Sequence, residues 1–184
     1  VKRNEWGPPR VDSIFALARE ASSSPLLAYL NADILLPPTF VDVVEDIKRA
    51  ADLFLAVGRR WDLTVEQPIN VEKDWPDWLH RQVQQKGVLH GPTAMDFFIF
   101  PREIFLDIPP FAIGRAGWDN WMIYRAQQAG WTVLDITPSL SVVHQEHDYA
   151  HLPGGQADYI VEEYRRNVVQ SGVLDEVYDM LDVE

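Results

Sequence analysis

Hydrophobic residues in this chain follow two spacings, one typical of amphipathic helices and one typical of buried strands. Apolar positions three and four residues apart predict helices near 11–23, 40–51, 76–86, 118–129, 157–168 and 173–182. Short apolar runs bounded by polar residues predict strands near 26–31, 54–57, 95–100, 132–136 and 140–144. A polar stretch over 62–75 predicts a surface loop. The alternation of helices and strands is typical of a mixed α/β layer protein.

The composition fits one globular domain over residues 1–184. Hydrophobic residues make up 47% of the 184, with seven Trp, which is enough for a sizeable core. The net charge of −12 argues against nucleic acid or an anionic membrane as partner. The sequence has no Cys, which excludes disulfides, thiolate zinc sites and Cys nucleophiles. Without an apolar run long enough for a membrane span or a visible signal peptide, we expect a cytoplasmic protein.

The segment Leu26–Ile34 combines a strongly apolar strand with two polar residues at its end. Asn31 and Asp33 follow the strand at the edge where open α/β sheets place their ligand sites. A spacing of two residues would place both side chains on one face. A carboxylate there is costly unless it binds something charged, and a hard divalent cation is the natural candidate. The simpler alternative is a strand followed by an Asn/Asp turn.

A second candidate lies in Gly114–Asn120, where Asp119 is placed at or near the start of a helix. Facing a cleft, Asp119 would suit the role of a general base. The alternative is plain helix capping, which Asp does well.

Three histidines follow a late strand within eight residues: His144, His147 and His151. Clustered imidazoles after a strand favour a metal ligand. The spacing is not a zinc signature, and a surface cluster explains it equally well.

Asp96 stands in the apolar strand near 95–100 and therefore needs a partner. That partner is a sugar hydroxyl in one interpretation, and Arg102 or a backbone amide in another.

Together these segments resemble glycosyltransferases of the GT-A fold, close to glycosyltransferase family 2, over roughly residues 1–151. Asn31-Ala32-Asp33 resembles the DxD motif, with Asn in place of the first Asp. Asp96–Arg102 is similar to the strand and turn beside the donor sugar and acceptor. Gly117–Asn120 resembles the segment carrying the catalytic base of inverting members, and Val143–Glu146 the late strand whose His completes the metal site. Residues 152–184 would form C-terminal helices.

The resemblance implies a GT-A-like mixed sheet flanked by helices and a metal-dependent transfer reaction. Asp33 and His144 would hold Mn²⁺ or Mg²⁺, with His147 as the alternative ligand, against the diphosphate of a nucleotide sugar. Asp119 would deprotonate the acceptor hydroxyl. The resemblance further implies donor contacts from Asn31, Asp96 and Trp118. Trp121, by its helical spacing, is a core residue instead.

The resemblance also implies that strand–helix units normally preceding the DxD segment are missing from this sequence. We therefore expect a sheet shortened at its N-terminal side, whose strand 26–31 has an uncovered flank, and a homo-oligomer that covers it. Two other classes of function stay open. One is a non-catalytic carbohydrate- or nucleotide-binding module, and the other is an assembly domain that binds a partner through its acidic surface.

Overall fold

The computed structural model describes residues 1–71, 74–93, 95–115, 117–147, 162–171 and 180–183. Within these residues the chain is a mixed α/β protein with two four-stranded mixed sheets and five α-helices. The helices are α1 (Val11–Ala21), α2 (Phe40–Ala50), α3 (Trp75–Lys86), α4 (Trp118–Gln128) and α5 (Glu162–Ser171). The strands are β1 (Leu26–Leu30), β2 (Ile34–Leu35), β3 (Phe54–Val57), β4 (Arg60–Leu63), β5 (Val88–Leu89), β6 (Phe97–Pro101), β7 (Thr132–Asp135) and β8 (Val142–Gln145).

The first sheet has the strand order β1–β6–β3–β7 and forms the centre of the core. β3 and β7 are parallel, while β6 runs antiparallel to both β1 and β3. Every residue of β3 and β6 is buried, because helices cover both faces of the sheet. Phe98 and Phe100 pack with α1 and α4, whereas Phe97 and Ile99 pack with α2 on the opposite face. Burial on two faces explains why these strands are continuous apolar runs.

The second sheet has the order β2–β8–β4–β5 and is smaller. β4 and β8 are parallel, and the other two pairs are antiparallel. Val143 and Leu63 pack against α3 on one face of this sheet. The opposite face carries Arg60 and Asp62 of β4 and His144 of β8 together with the buried Val142, so only β4 shows an alternating pattern.

The sequence predicted the longer helices and strands correctly but missed the short strands β2, β4 and β5. Four predicted helices and the five predicted strands are present, with ends shifted by a few residues. The predicted loop over 62–75 is wrong at its beginning, because β4 occupies its first residues. β2 and β5 have two residues each, too few to produce a periodic pattern.

The C-terminal predictions are tested only in part. α5 overlaps the helix predicted near 157–168, whose first residues lie outside the described part of the chain. Most of the helix predicted near 173–182 also lies outside the described residues, which omit 172–179. Its last part, Met180–Asp182, is a 3₁₀ turn.

Among the described residues, β1 is an edge strand of the first sheet. The shortened sheet and the pairing of β1 in a homo-oligomer stay predictions. No helix among the described residues has the length and apolar character needed to cross a membrane.

Replacing Ile99 with Ala tests whether β6 is the centre of the core. Ile99 is 2% exposed, so the substitution leaves a cavity between the sheet and α2. We expect the free energy of unfolding to fall by about 2–5 kcal/mol, measured by urea denaturation. Leu106→Ala is the control, because Leu106 is 72% exposed and its loss should change stability by no more than about 0.5 kcal/mol. Equal effects of the two substitutions would contradict this placement of the core.

Candidate metal centre

Asp33 lies in the short turn that carries the chain from the first sheet to the second. β1 ends at Leu30, residues 32–33 form a turn, and β2 begins at Ile34. The strand spacing therefore stops before Asp33, and Asn31 and Asp33 contact different partners. Ile34 pairs with His144 in the adjacent β8, and the backbone N–H of Gln145 donates to the carbonyl of Asp33 at 3.0 Å. These backbone bonds hold Asp33 beside the end of β8.

Asp33, His144 and His147 come together as a candidate metal-binding group. The Nε2 atom of His144 lies 3.3 Å from Oδ2 of Asp33, and Nε2 of His147 lies 3.1 Å from the same oxygen. One ligand atom from each of the three residues falls within 4.8 Å of the others. The Asp33 and His144 side chains are 29% and 12% exposed, so the group is sheltered but reachable from solvent.

The second oxygen of Asp33 supports a ligand at this position. Oδ1 is buried and has no hydrogen-bond partner among the described residues. A buried carboxylate oxygen without a partner is costly, and a bound cation would satisfy it. One carboxylate and two imidazoles suit first-row divalent metals such as Mn²⁺, while Mg²⁺ prefers oxygen ligands. The residues present therefore fit a divalent cation.

Asp62 stands behind His144 and was not identified from the sequence. Its Oδ1 lies 3.2 Å from Nδ1 of His144, and its Oδ2 lies 2.5 Å from Nδ1 of His90. Burial raises the pKa of Asp62, but bonds to His90 and Arg60 outweigh burial and hold the pKa below its ordinary value. The alternation of polar and apolar residues in Arg60–Leu63 could have predicted a strand that contains Asp62, but the polar residues that follow made the segment look like a loop.

A chain of polar contacts continues from Asp62 to the end of β1. Arg60 donates from Nε to Asp62 at 2.9 Å and from Nη1 to Asp96. The Nδ2 amide of Asn31 donates to Asp96 at 2.6 Å, and the Tyr29 hydroxyl donates to Oδ1 of Asn31 at 2.7 Å. These contacts link the end of β1, the start of β6 and the polar face of β4.

The partners of Asp96 differ from those expected within the protein. Arg102 donates to the backbone carbonyls of Arg19, Ser22 and Ser24, so it ties β6 to the end of α1. Asp96 instead binds the side chains of Asn31 and Arg60. Arg102 and a backbone amide, the two partners expected within the protein, are therefore wrong for the Asp96 side chain, because the fold brings Arg60 and Asn31 to it.

Asp119 lies in the first turn of α4. Gly117 is the N-cap, with φ at +98°, a conformation that favours glycine. Oδ1 of Asp119 accepts the backbone N–H groups of Asn120 and Gly117 at 3.0 and 3.2 Å. Burial raises the pKa of Asp119 to about 6, against these N–H bonds, and the charge of Asp96 raises it further.

Tyr29 connects Asp119 electrostatically with the rest of the site. Burial raises the pKa of the Tyr29 phenol well above its ordinary value, and the charges of Asp96, Asp119 and Asp33 raise it further. The three carboxylates are therefore close enough to act on one hydroxyl.

Trp118 and Trp121 both belong to the core. Trp118 is 6% exposed, and its ring packs edge-on against Tyr29 and Phe98, with centroids 4.9 and 5.4 Å apart. Trp121 is 7% exposed, which confirms its predicted core position. A sugar contact by Trp118 stays a prediction. His151 lies outside the described residues.

Replacing Asp33 with Asn tests the metal centre directly. The substitution keeps the shape of the side chain and removes the charge shared by the two imidazoles. We expect Mn²⁺ affinity, measured by electron paramagnetic resonance titration, to fall by at least about 100-fold, since even outer partners of metal ligands are worth about 10- to 100-fold. Asp107→Asn, at a side chain 66% exposed, should leave the affinity unchanged. Wild-type affinity in Asp33→Asn would contradict the assignment.

Replacing Asp119 with Asn tests its raised pKa through stability. Between the ordinary value of 3.8 and the folded value of about 6, the folded protein binds more protons at this group than the unfolded chain. The contribution of Asp119 is therefore greatest below about pH 4 and is lost as the pH rises to about 6. Relative to Asp119→Asn, the wild type should lose on the order of 2 kcal/mol of unfolding free energy across this window, measured by urea denaturation. A stability difference that stays level with pH, or increases, would show that the carboxyl is not held protonated.

Comparison with known proteins leaves the site to be interpreted from its own geometry. No protein-family model matches this chain, and no curated protein sequence matches it.

Proposed function

We propose that this protein is a metal-dependent glycosyltransferase of the GT-A kind, which transfers a sugar from a nucleotide-diphosphate sugar to a hydroxyl acceptor with inversion. The observation that carries the proposal is the convergence of Asp33, His144 and His147 at the junction of the two sheets. From the sequence resemblance we expected Asp33 and His144 to be metal ligands and His147 to be the alternative ligand. Their side chains come from a turn, a strand and the segment after that strand.

The three ligand residues would bind the donor through its diphosphate. A divalent cation bound there would supply Lewis-acid stabilisation of the leaving nucleoside diphosphate. Asp33 and His144 are held by the β2–β8 backbone pairing, so they would orient the diphosphate with little rearrangement. His147 is 38% exposed and would approach the same position from the solvent side.

Asp119 would accept the proton of the attacking hydroxyl. A general base works best when its pKa is near the operating pH, and burial brings the pKa of Asp119 to about 6. Its charge acts on Tyr29 together with the charges of Asp33 and Asp96, which supports a position near the candidate metal ligands.

Asn31 and Asp96 would contact the donor beside the metal. The two side chains are joined at 2.6 Å and lie between Tyr29 and Arg60. Fixed polar groups of this kind can recognise the hydroxyls of a ribose or a sugar through hydrogen bonds.

A second candidate is a carbohydrate- or nucleotide-binding module without catalysis. The observation that favours it is that Asp119 accepts hydrogen bonds from two backbone N–H groups. A residue whose only role is to stabilise the start of α4 would make the same bonds. The two functions differ in turnover and not in ligand binding.

Asp119→Asn separates the two functions, because the Asn oxygen can still accept both N–H groups while the base is lost. With a panel of UDP-sugars and Mn²⁺, we expect the wild type to release nucleoside diphosphate and the variant to be slower by about 10²–10⁴-fold in kcat. Mn²⁺ affinity should be the same in both proteins. The measurement is a coupled assay for the nucleoside diphosphate.

Asp12→Asn is the matched control, because Asp12 is also in the first turn of a helix and pairs with Arg10 at 2.6 Å. It should keep wild-type turnover. Full turnover in Asp119→Asn would assign Asp119 to helix stabilisation alone. Binding of UDP-sugars by the wild type without turnover would favour the binding module.

A further inference from the structure

The carboxylate of Asp62 faces three side chains, one of which is a candidate metal ligand. Oδ1 is 3.2 Å from Nδ1 of His144 and accepts from Nε of Arg60 at 2.9 Å, while Oδ2 is 2.5 Å from Nδ1 of His90. The side chains of Asp62 and His144 are only 15% and 12% exposed. The contact is therefore largely shielded from water.

The register of the second sheet fixes this contact. Asp62 and His144 are direct partners in the parallel pair of β4 and β8, so both side chains project from the same face. Their neighbours Trp61 and Val143 are also partners, and they pack on the α3 side of the sheet. Moving Asp62 away from His144 would require a slip of the register, which would expose Val143.

The two nitrogens of His144 have different surroundings. Nε2 points to Asp33, at 3.3 Å, whereas Nδ1 points to Asp62. An imidazole that binds a metal through one nitrogen carries its proton on the other, and a carboxylate at the protonated nitrogen fixes that tautomer and the ring orientation. Nδ1 is buried and has no other partner among the described residues, and Oδ1 of Asp62 lies 3.2 Å from it.

We propose that Asp62 is a positioning residue of the metal centre, which holds the His144 proton on Nδ1 and so presents the Nε2 lone pair to a cation bound by Asp33. Asp62 acts through His144 and does not itself bind the metal. This inference rests on the metal centre of the proposed function and is independent of sugar transfer.

The binding test compares Mn²⁺ affinity in the wild type, Asp62→Asn and Asp107→Asn. We expect Asp62→Asn to weaken Mn²⁺ binding by about 10- to 100-fold, because Asn keeps the shape but loses the charge that stabilises the Nδ1 proton. Asp107→Asn is the matched control. It makes the same Asp-to-Asn change at a side chain that is 66% exposed and does not contact His144, so its affinity should equal that of the wild type.

The second measurement needs no Asp62 variant. In ¹⁵N-histidine-labelled wild type loaded with diamagnetic Zn²⁺, with the His144 signals assigned from a His144→Gln spectrum, nitrogen shifts should show a protonated Nδ1 and a metal-bound Nε2. Metal bound through Nδ1 of His144 would overturn the inference, even if Asp62→Asn failed to fold.

The outcomes distinguish this inference from the proposed function. Mn²⁺ binding that is weakened in Asp62→Asn, in a protein that transfers no sugar, would support the role of Asp62 and count against the transferase. Equal affinity in the wild type and Asp62→Asn would overturn the role of Asp62 and leave the transferase intact. No Mn²⁺ binding by the wild type would overturn both.

Discussion

The position of Arg60 between two carboxylates is the interaction on which the polar centre of this protein depends. Asp62 belongs to the second sheet, and Asp96 lies directly before β6 of the first sheet. Burial lowers the pKa of the Arg60 guanidinium, yet the bonds and charges of Asp96 and Asp62 outweigh burial and raise it. Removing Arg60 would leave two sheltered carboxylates without their shared guanidinium, which is far more costly than losing an exposed pair. The two salt bridges of Arg60 therefore connect the two sheets beside the candidate metal ligands.

The charge of this region explains why a cation suits it. The charges of Asp33, Asp96 and Asp119 all act on Tyr29, and the guanidinium of Arg60 pairs with both Asp62 and Asp96. Burial and the charge of Asp96 raise the pKa of Asp119 to about 6. Asp33 has a buried oxygen without a partner among the described residues and two imidazoles on its other oxygen. A divalent cation at Asp33 would compensate the local negative charge and satisfy that oxygen. The same arrangement would be unfavourable for an anionic donor in the absence of the cation.

Packing and chemistry are divided between the two faces of the smaller sheet. Trp61 and Val143 stabilise the sheet against α3, while Asp62 and His144 carry the polar contacts on the other face. The larger sheet has no such division, because helices cover both of its faces. The candidate site therefore lies where the larger sheet, whose central strands β3 and β6 are fully buried, meets the smaller sheet, so an apolar core supports its polar side chains.

The sequence alone determined the long elements and identified the residues of the candidate metal centre. The runs in β3 and β6 and the periodic faces of α1, α2 and α4 are local patterns that burial imposes on any chain. Asp33, His144 and His147 were identifiable because each follows or ends an apolar strand. Tertiary structure decided the rest. Asp62 and Arg60 belong to a short strand with a weak pattern, and His90 directly follows the two-residue β5. Only the parallel pairing of β4 with β8 brings Asp62 to His144. Each residue of β4 pairs with a residue of β8 that lies 82 positions later, and such pairing depends on the whole fold, which is why no local pattern could reveal it.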